Sequence, residues 1–182
     1  DRFFSFPVGG EILQFDPDDY DLTLKIEPFT SSIPFQEIHP LITRNRSEIL
    51  SKEEALSELV RRGINLDQRK QVCFLGINGE RGEFLQAKKS YSYLEEEGYN
   101  MVYSSNWEGG LFPLADYFNA ADLIICSGGY NSFWETIFFE KEALYVLFPR
   151  RFEDQQRRVE ECTNFRFWEN GADQLAELML KL

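Results

Sequence analysis

The residues best placed to do chemistry form a run of small and polar side chains between an apolar stretch and a helical pattern: Ser127-Gly128-Gly129-Tyr130-Asn131-Ser132. Two adjacent glycines let a ligand approach the backbone closely. The next three amides would open the helix without intrahelical acceptors, and the helix dipole adds positive charge there. This pattern favours a phosphate group. The alternative is a tight turn in which Asn131 or Ser132 only caps the helix.

Further polar groups follow this loop at spacings that suit a sugar nucleotide. Glu135 lies one helical turn after Asn131, where it either compensates the helix dipole or accepts hydrogen bonds from ribose hydroxyls. Asp154, Gln155 and Gln156 follow the next apolar run, and their donors and acceptors match the hydroxyls of a sugar. Capping of a helix by these three residues is the competing interpretation.

A second glycine-rich loop, residues 75–82, also lies between a predicted strand and a predicted helix. Its glycines fall at 76, 79 and 82 and therefore miss the G-x-G-x-x-G pattern of dinucleotide-binding folds. The next strand ends in Ser104-Ser105-Asn106 instead of the acidic residue that binds ribose in those folds. The sequence therefore disfavours a nicotinamide cofactor.

A sheet of parallel strands is needed to position these loops. The pattern predicts apolar strands at residues 72–75, 100–104, 123–126 and 143–148, and a strand at 20–26. It predicts helices from a Ser51 cap to Gly63 and at 83–97, 114–120, 131–139, 154–162 and 172–180. Apolar strands that alternate with helices are typical of a parallel sheet covered on both faces. The predicted fold class is α/β, a Rossmann-like doubly wound parallel sheet from about residue 46 onward.

Composition excludes several classes of function. Acidic residues outnumber basic ones 31 to 19 among 182 residues, a net charge of −12 that argues against nucleic-acid binding. The single histidine, His39, argues against Ser-His-Asp, Cys-His and multi-histidine metal sites. Cys73 and Cys126 lie in strand-like runs and are interpreted as small buried thiols, which favours a cytoplasmic location.

Residues 121–135, the apolar run 143–148 and Glu153-Asp154-Gln155-Gln156 together resemble the carboxyl-terminal domain of GT-B glycosyltransferases of the MurG and family 28 type. The resemblance implies a nucleotide-sugar donor site that needs no metal or other cofactor, with UDP as the expected nucleotide. It assigns the diphosphate to Gly128, Gly129, Tyr130, Asn131 and Ser132, the ribose to Glu135, and the donor sugar to Asp154, Gln155 and Gln156. It places Gly76, Asn78 and Gly79 at the cleft between two domains.

The segment from His39 to Arg44 resembles the hinge between the two domains of such enzymes, which makes Arg44 a candidate phosphate ligand and Arg46 a weaker one. The implied division is an acceptor-domain remnant or irregular extension at 1–37, a hinge at 38–50 and a donor-binding domain at 51–182. No residue is assigned as the catalytic base, which is expected in the acceptor domain. That domain is expected on the same chain or on a membrane-associated subunit, so the cytoplasmic face of a membrane is one expected location.

The predicted function is donor binding in a glycosyltransferase that moves a sugar from a nucleoside-diphosphate sugar to an acceptor hydroxyl. A nucleotide-sugar 2-epimerase is an alternative, because Ser127-Gly128-Gly129 with Glu135 also resembles its uridine-diphosphate site. That family carries a Thr-Glu-Arg type segment where this chain has residues 152–156. A non-catalytic binding module is the other alternative, because residues 140–142 replace the family's Gly-x-Pro turn and the preceding helix is unusually aromatic.

Overall fold

Four parallel strands form the central sheet of the computed structural model, which describes residues 6–8, 11–13, 16–29, 35–150 and 153–181. In chain order, the described strands are β1 (Phe6–Val8), β2 (Glu11–Leu13), β3 (Leu24–Lys25), β4 (Gln36–Glu37), β5 (Gln71–Gly76), β6 (Tyr99–Ser104), β7 (Leu123–Ser127) and β8 (Ala143–Val146). The last four form the central sheet, while β1 pairs with β2 and β3 with β4. The α-helices are α1 (Lys52–Arg61), α2 (Arg81–Tyr91), α3 (Tyr130–Phe138), α4 (Gln155–Cys162) and α5 (Gly171–Met179). Short 3₁₀ helices span Pro17–Asp19, Ser92–Glu95 and Leu114–Ala120.

The central sheet has the strand order β6-β5-β7-β8, and its strand pairs are parallel. The chain runs from β5 to β6 on one side and then crosses to β7 on the other side of β5. The order therefore reverses between β5 and β7, where ligands bind in doubly wound sheets. The predicted Rossmann-like parallel sheet is confirmed.

Alternate residues of the buried strands face opposite layers of the core. On one face Phe74 and Ile124 pack with Phe133 and Trp134 of α3, while on the other face Leu75 and Ile125 pack with residues of α2 such as Phe84. The two thiols within the strands, Cys73 and Cys126, are buried as predicted, and loss of solvation raises the pKa of each to about 12.

Two predicted elements end earlier than the pattern suggested. The predicted helix 83–97 is α2, which stops at Tyr91 and continues as the 3₁₀ helix Ser92–Glu95. Three consecutive glutamates at 95–97 would place negative charge at the negative end of the helix dipole, which disfavours a longer α-helix. β8 stops at Val146, because the Phe148 amide donates to Gln155 Oε1 (3.1 Å) instead of to a neighbouring strand.

The predicted strand 20–26 is reduced to β3, which pairs in parallel with β4. Just after β3, Glu27 reaches into the core domain and accepts a hydrogen bond from Trp134 Nε1 (2.9 Å). His39 is buried against Trp168, and its Nδ1 lies 2.9 Å from the Glu169 carbonyl oxygen. Glu27 thus connects the amino-terminal region to the sheet domain, while the assignment of residues 1–37 to an acceptor domain stays a prediction.

Candidate functional site

The loops after the four parallel strands lie at one edge of the sheet, where their carboxyl ends meet. Both glycine loops predicted from the sequence lie at this edge, one after β5 and one after β7. A cavity of about 530 Å³ lies at the opposite edge, lined by residues that include Lys52, Asn100 and Asp122. The predicted ligand residues belong to the first edge.

The loop after β7 leads into α3 without a side-chain cap from its own N-cap residue, Gly129. The first intrahelical hydrogen bond runs from the Phe133 amide to the Gly129 carbonyl (2.9 Å), so the amides of Tyr130, Asn131 and Ser132 precede it. The Tyr130 amide donates to Glu153 Oε1 (2.9 Å). The alternative in which Asn131 or Ser132 caps α3 is therefore not what the structure shows, because a carboxylate from beyond β8 performs this role.

The two glycines of this loop are needed for different reasons. A Cβ atom on Gly128 would lie 2.8 Å from Leu147 Cδ2 and 3.2 Å from Gln155 Cβ, so packing alone requires glycine there. A Cβ atom on Gly129 would meet its nearest neighbour, Ser127 Oγ, at 3.3 Å. Its next neighbours would be Gln155 Nε2 at 3.7 Å and Glu153 Oε2 at 3.9 Å, so the backbone of Gly129 faces polar side chains.

A buried arginine holds the loop and its cap together. Arg158, 4% exposed, donates from Nη1 to the Gly128 carbonyl (2.8 Å) and to Glu153 Oε1 (2.5 Å). Its Nε donates to Glu27 Oε1 (2.6 Å), which joins the amino-terminal segment to the same network. Sequence reasoning missed Arg158 and Glu27, because nothing in their local patterns marks a contact over 131 residues.

The three residues predicted to bind the donor sugar make hydrogen bonds within the protein. Asp154 caps α4, since its Oδ1 accepts from the Arg157 amide (2.9 Å). Gln155 is buried and its Nε2 donates to Glu153 Oε2 (3.0 Å), while Gln156 is exposed and donates to Glu160. Their role toward a sugar stays a prediction. Phe152, the first residue of the segment 152–156 that is compared with epimerases, lies outside the described residues.

Glu135 lies on α3 and is half-buried. Among the carboxyl groups predicted to bind a ligand, its carboxyl has the most strongly shifted pKa. Loss of solvation, with a smaller contribution from the nearby charge of Asp116, raises its pKa to about 7, although a hydrogen bond from Thr43 opposes the rise. A carboxylate shifted in this way, on a helix beside the point where strand order reverses, is typical of a functional residue. Its predicted contact with ribose remains to be tested.

The predicted hinge segment runs along α3 from its first turn to its last. The Leu41 amide donates to the Tyr130 hydroxyl (2.8 Å), and Arg46 Nη2 donates to the Phe138 carbonyl (2.7 Å). Arg44 Nε lies 3.1 Å from Asp116 Oδ1, so this cation is paired with an acid that also acts on Glu135. Arg46 thus stabilises the carboxyl end of α3, and the phosphate role of Arg44 stays a prediction.

The loop after β5 is shaped by its neighbours at both glycines. A Cβ atom on Gly76 would collide with Leu114, and one on Gly79 would collide with Glu83 and lie 2.6 Å from Arg150 Nη2. Asn78 is exposed at the tip of this loop. Trp107, from the loop after β6, donates from Nε1 to the Gly79 carbonyl (3.2 Å).

Residues 51–161 match the model of the glycosyltransferase family 28 C-terminal domain. The match covers more than half of the 182 residues, and the chain belongs to this family. The family resemblance predicted from the sequence is thereby confirmed, and with it the prediction of a glycosyltransferase domain.

The comparison with curated proteins found no match. Among solved structures, the chain is similar to the Streptomyces sp. SF2575 glycosyltransferase SsfS6, which was crystallised with thymidine diphosphate. The identity is 16% and the TM-score 0.49, over 89% of this chain and 49% of that one. The chain thus spans about half the length of that glycosyltransferase.

Among the described residues, no group of three or more His, Cys, Asp and Glu side chains has a metal-binding arrangement. Within the same part of the chain, no helix is long and apolar enough to cross a membrane.

Proposed function

We propose that this domain binds the nucleoside diphosphate of a sugar donor, with UDP as the first nucleotide to test, at the carboxyl ends of β7 and β8. One observation carries the proposal. The amides of Asn131 and Ser132 precede the first intrahelical hydrogen bond of α3, and the same helix carries Glu135, whose carboxyl has a raised pKa. Amides at a helix start favour phosphate, and a carboxylate accepts hydrogen bonds from ribose hydroxyls.

Because both groups lie on α3, their separation is fixed by the helix. Glu135 follows Tyr130 by five residues, which is roughly 7.5 Å along the helix axis. Phe133 and Trp134 of α3 are both fully buried, and their hydrophobic contacts hold the helix against the sheet. The site is therefore preorganised for a ligand with an anionic end and a hydroxyl-bearing end.

In the complete enzyme, an acceptor hydroxyl would attack the anomeric carbon of the donor sugar. The bond from that carbon to the diphosphate oxygen breaks, and the leaving nucleoside diphosphate gains negative charge. The α3 amides would stabilise this charge, which is the contribution that lowers the barrier. The proton of the acceptor hydroxyl would go to a base of the acceptor-binding half, on the same chain or on a membrane-associated partner.

The remaining site assignments come from the family resemblance and are proposed with it. Asp154, Gln155 and Gln156 lie beyond β8 and would contact the sugar, and Arg44 would approach the phosphates after leaving Asp116. The proposed chemistry uses helix amides and arginines in place of a metal ion. The free, buried thiols Cys73, Cys126 and Cys162 support a reducing, cytoplasmic location.

Calorimetric titration of the domain with UDP, other nucleoside diphosphates and uridine tests the proposal. We expect UDP to bind and Glu135→Ala to weaken it about tenfold or more, since a hydrogen bond to a charged group is worth about 1.5–3 kcal/mol. Glu142→Ala is the matched control, because Glu142 is an exposed carboxylate beside the other end of β8. Absence of binding by every nucleoside diphosphate at millimolar concentration would refute the proposal.

A further inference from the structure

We propose that Arg150 is an additional phosphate ligand of the donor site, and that Glu83 occupies its guanidinium until a diphosphate replaces that carboxylate. The inference rests on the proposed function and adds to it a binding residue and a competing group.

The ion pair between these two residues crosses the candidate site. Arg150 follows β8, and Glu83 lies in the first turn of α2, which follows β5. In the sheet, β7 lies between β5 and β8. A contact between Arg150 and Glu83 must therefore pass over the carboxyl end of β7, where Gly128 and Gly129 begin.

The contact between Arg150 and Glu83 is a bidentate ion pair. Arg150 Nη1 donates to Glu83 Oε1 (2.5 Å), and Nη2 donates to Oε2 (2.6 Å). The two side chains are 27% and 14% exposed. The guanidinium lies directly against the backbone of Gly79, where a Cβ atom would be 2.6 Å from Nη2.

The surroundings of Arg150 are acidic on both sides. Besides Glu83, the charges of Glu80 and Glu153 act on it, and together they raise the pKa of its guanidinium. Glu153 is the residue that accepts from the Tyr130 amide, so Arg150 lies between the glycine loop after β5 and the start of α3. In a protein of net charge −12, these carboxylates would repel a diphosphate unless a cation offset them.

A carboxylate and a phosphate offer the same pair of oxygens to a planar guanidinium. Glu83 therefore occupies the position that a phosphate group would take. Exchange leaves Glu83 with a partner, because its Oε2 also accepts from the Glu80 amide (3.0 Å). Arg150 can thus turn to a ligand without leaving an isolated carboxylate behind.

Titration of UDP and uridine into four proteins tests this inference: wild type, Arg150→Gln, Glu83→Gln and the double variant. We expect Arg150→Gln to weaken UDP about tenfold or more while uridine, which lacks phosphates, binds as before. Glu83→Gln keeps the acceptor for the Glu80 amide and removes the competing charge, so UDP should bind about threefold more tightly. The double variant should match Arg150→Gln, since the gain from Glu83→Gln requires Arg150.

Arg150→Lys and Arg157→Gln complete the design. Lysine keeps the charge but not the planar fork and should recover only part of the affinity. Arg157 is an exposed cation on α4 paired with Glu161, and its loss should leave UDP binding unchanged. Equal UDP affinity of Arg150→Gln and wild type, or equal loss for UDP and uridine, would overturn the inference while donor binding itself stands. A wild-type protein that binds no nucleoside diphosphate would instead refute the proposed function, and this inference with it.

Discussion

The two glycine loops of the carboxyl edge both lead from a buried strand into a helix, yet the two helices are capped differently. At α2, the Glu80 amide donates to Glu83, a carboxylate of the same helix turn. At α3, the Tyr130 amide donates to Glu153, which lies 23 residues away beyond β8. Glu83 is part of α2 itself, whereas Glu153 is held by Arg158 and Gln155 and takes only the first of the three α3 amides that precede the first intrahelical hydrogen bond. This difference favours the start of α3 as the phosphate site.

The carboxyl groups of Glu83 and Glu135, which follow the two loops, also differ, because their pKa values are shifted in opposite directions. The hydrogen bond from Arg150 holds the pKa of Glu83 below its ordinary value, despite the opposing effect of burial. Burial raises the pKa of Glu135 to about 7. Glu83 is therefore a paired carboxylate, whereas Glu135 is a half-buried one beside the like charge of Asp116. An ionised carboxylate in the position of Glu135 destabilises the folded domain, and such a carboxylate is typical of residues kept for function.

The largest effect should come from Arg158→Ala, which removes the cation behind the α3 loop. Glu27 and Glu153 would keep partly buried charges without their shared partner, so we expect a loss of about 3–5 kcal/mol in the free energy of unfolding. Urea denaturation measures it. Arg157→Ala, on the exposed face of the same helix, should change stability by no more than about 0.5 kcal/mol. A loss below about 1 kcal/mol for Arg158→Ala would mean that the distant cap of α3 does not depend on this network.

Glu135→Gln should have the next largest effect and a defined pH dependence. The folded-state pKa of about 7 lies above the ordinary 4.5, so the folded state holds the proton more tightly. The destabilisation by ionised Glu135 is absent below about pH 4.5 and complete above about pH 7. Relative to wild type, the variant should gain stability across that window, up to about 3 kcal/mol.

Denaturation curves of both proteins at several pH values check this expectation. Glu83→Gln provides the contrast, because the pKa of Glu83 is lowered in the folded state. Its ionised form stabilises the fold, and this stabilisation is lost as the pH falls through the folded-state pKa. Glu83→Gln should therefore lose stability relative to wild type as the pH rises toward neutrality. Parallel pH profiles for the two variants would contradict the distinction between a paired and a buried carboxylate.

The smallest effects should come from adding one methyl group to a glycine of each region. Gly128→Ala meets Leu147 at 2.8 Å and should destabilise the domain by about 1–3 kcal/mol. At Gly82, on α2, the added Cβ would meet no described atom within 4 Å apart from its chain neighbours and the backbone of its own helix, so alanine should stabilise by about 0.5–1 kcal/mol. Thermal unfolding of the two variants gives the comparison. A stabilising Gly128→Ala would show that the α3 loop is less tightly packed than the structure indicates.

Much of the fold could be predicted because its signals are local. The Ser51 cap is confirmed in both directions, since Ser51 Oγ accepts from the Glu54 amide (3.3 Å) and Glu54 Oε2 accepts from the Ser51 amide (2.9 Å). The four apolar runs of the core each became a strand within two residues of the predicted bounds. Such elements depend on periodicity and capping, which a single sequence displays.

The candidate site was only partly predictable. The sequence predicted that Gly129 and Glu135 would share one helix and its preceding loop, because their spacing is short and helical. It did not predict that Gln155 would be buried, with both ends of its side chain hydrogen-bonded inside the protein. That outcome depends on where β8 ends, which no local pattern specifies.

What the sequence by itself determined is the order of strands and helices, the glycine loops after β5 and β7, and the family to which they belong. Only the tertiary structure decided which charges meet at those loops. Glu153 reached the Tyr130 amide, Arg150 reached Glu83 across 67 residues, and Arg158 reached Glu27 across 131. The physical reason is range: capping and periodicity act over a few residues, whereas an ion pair depends on how the packed sheet brings distant loops together.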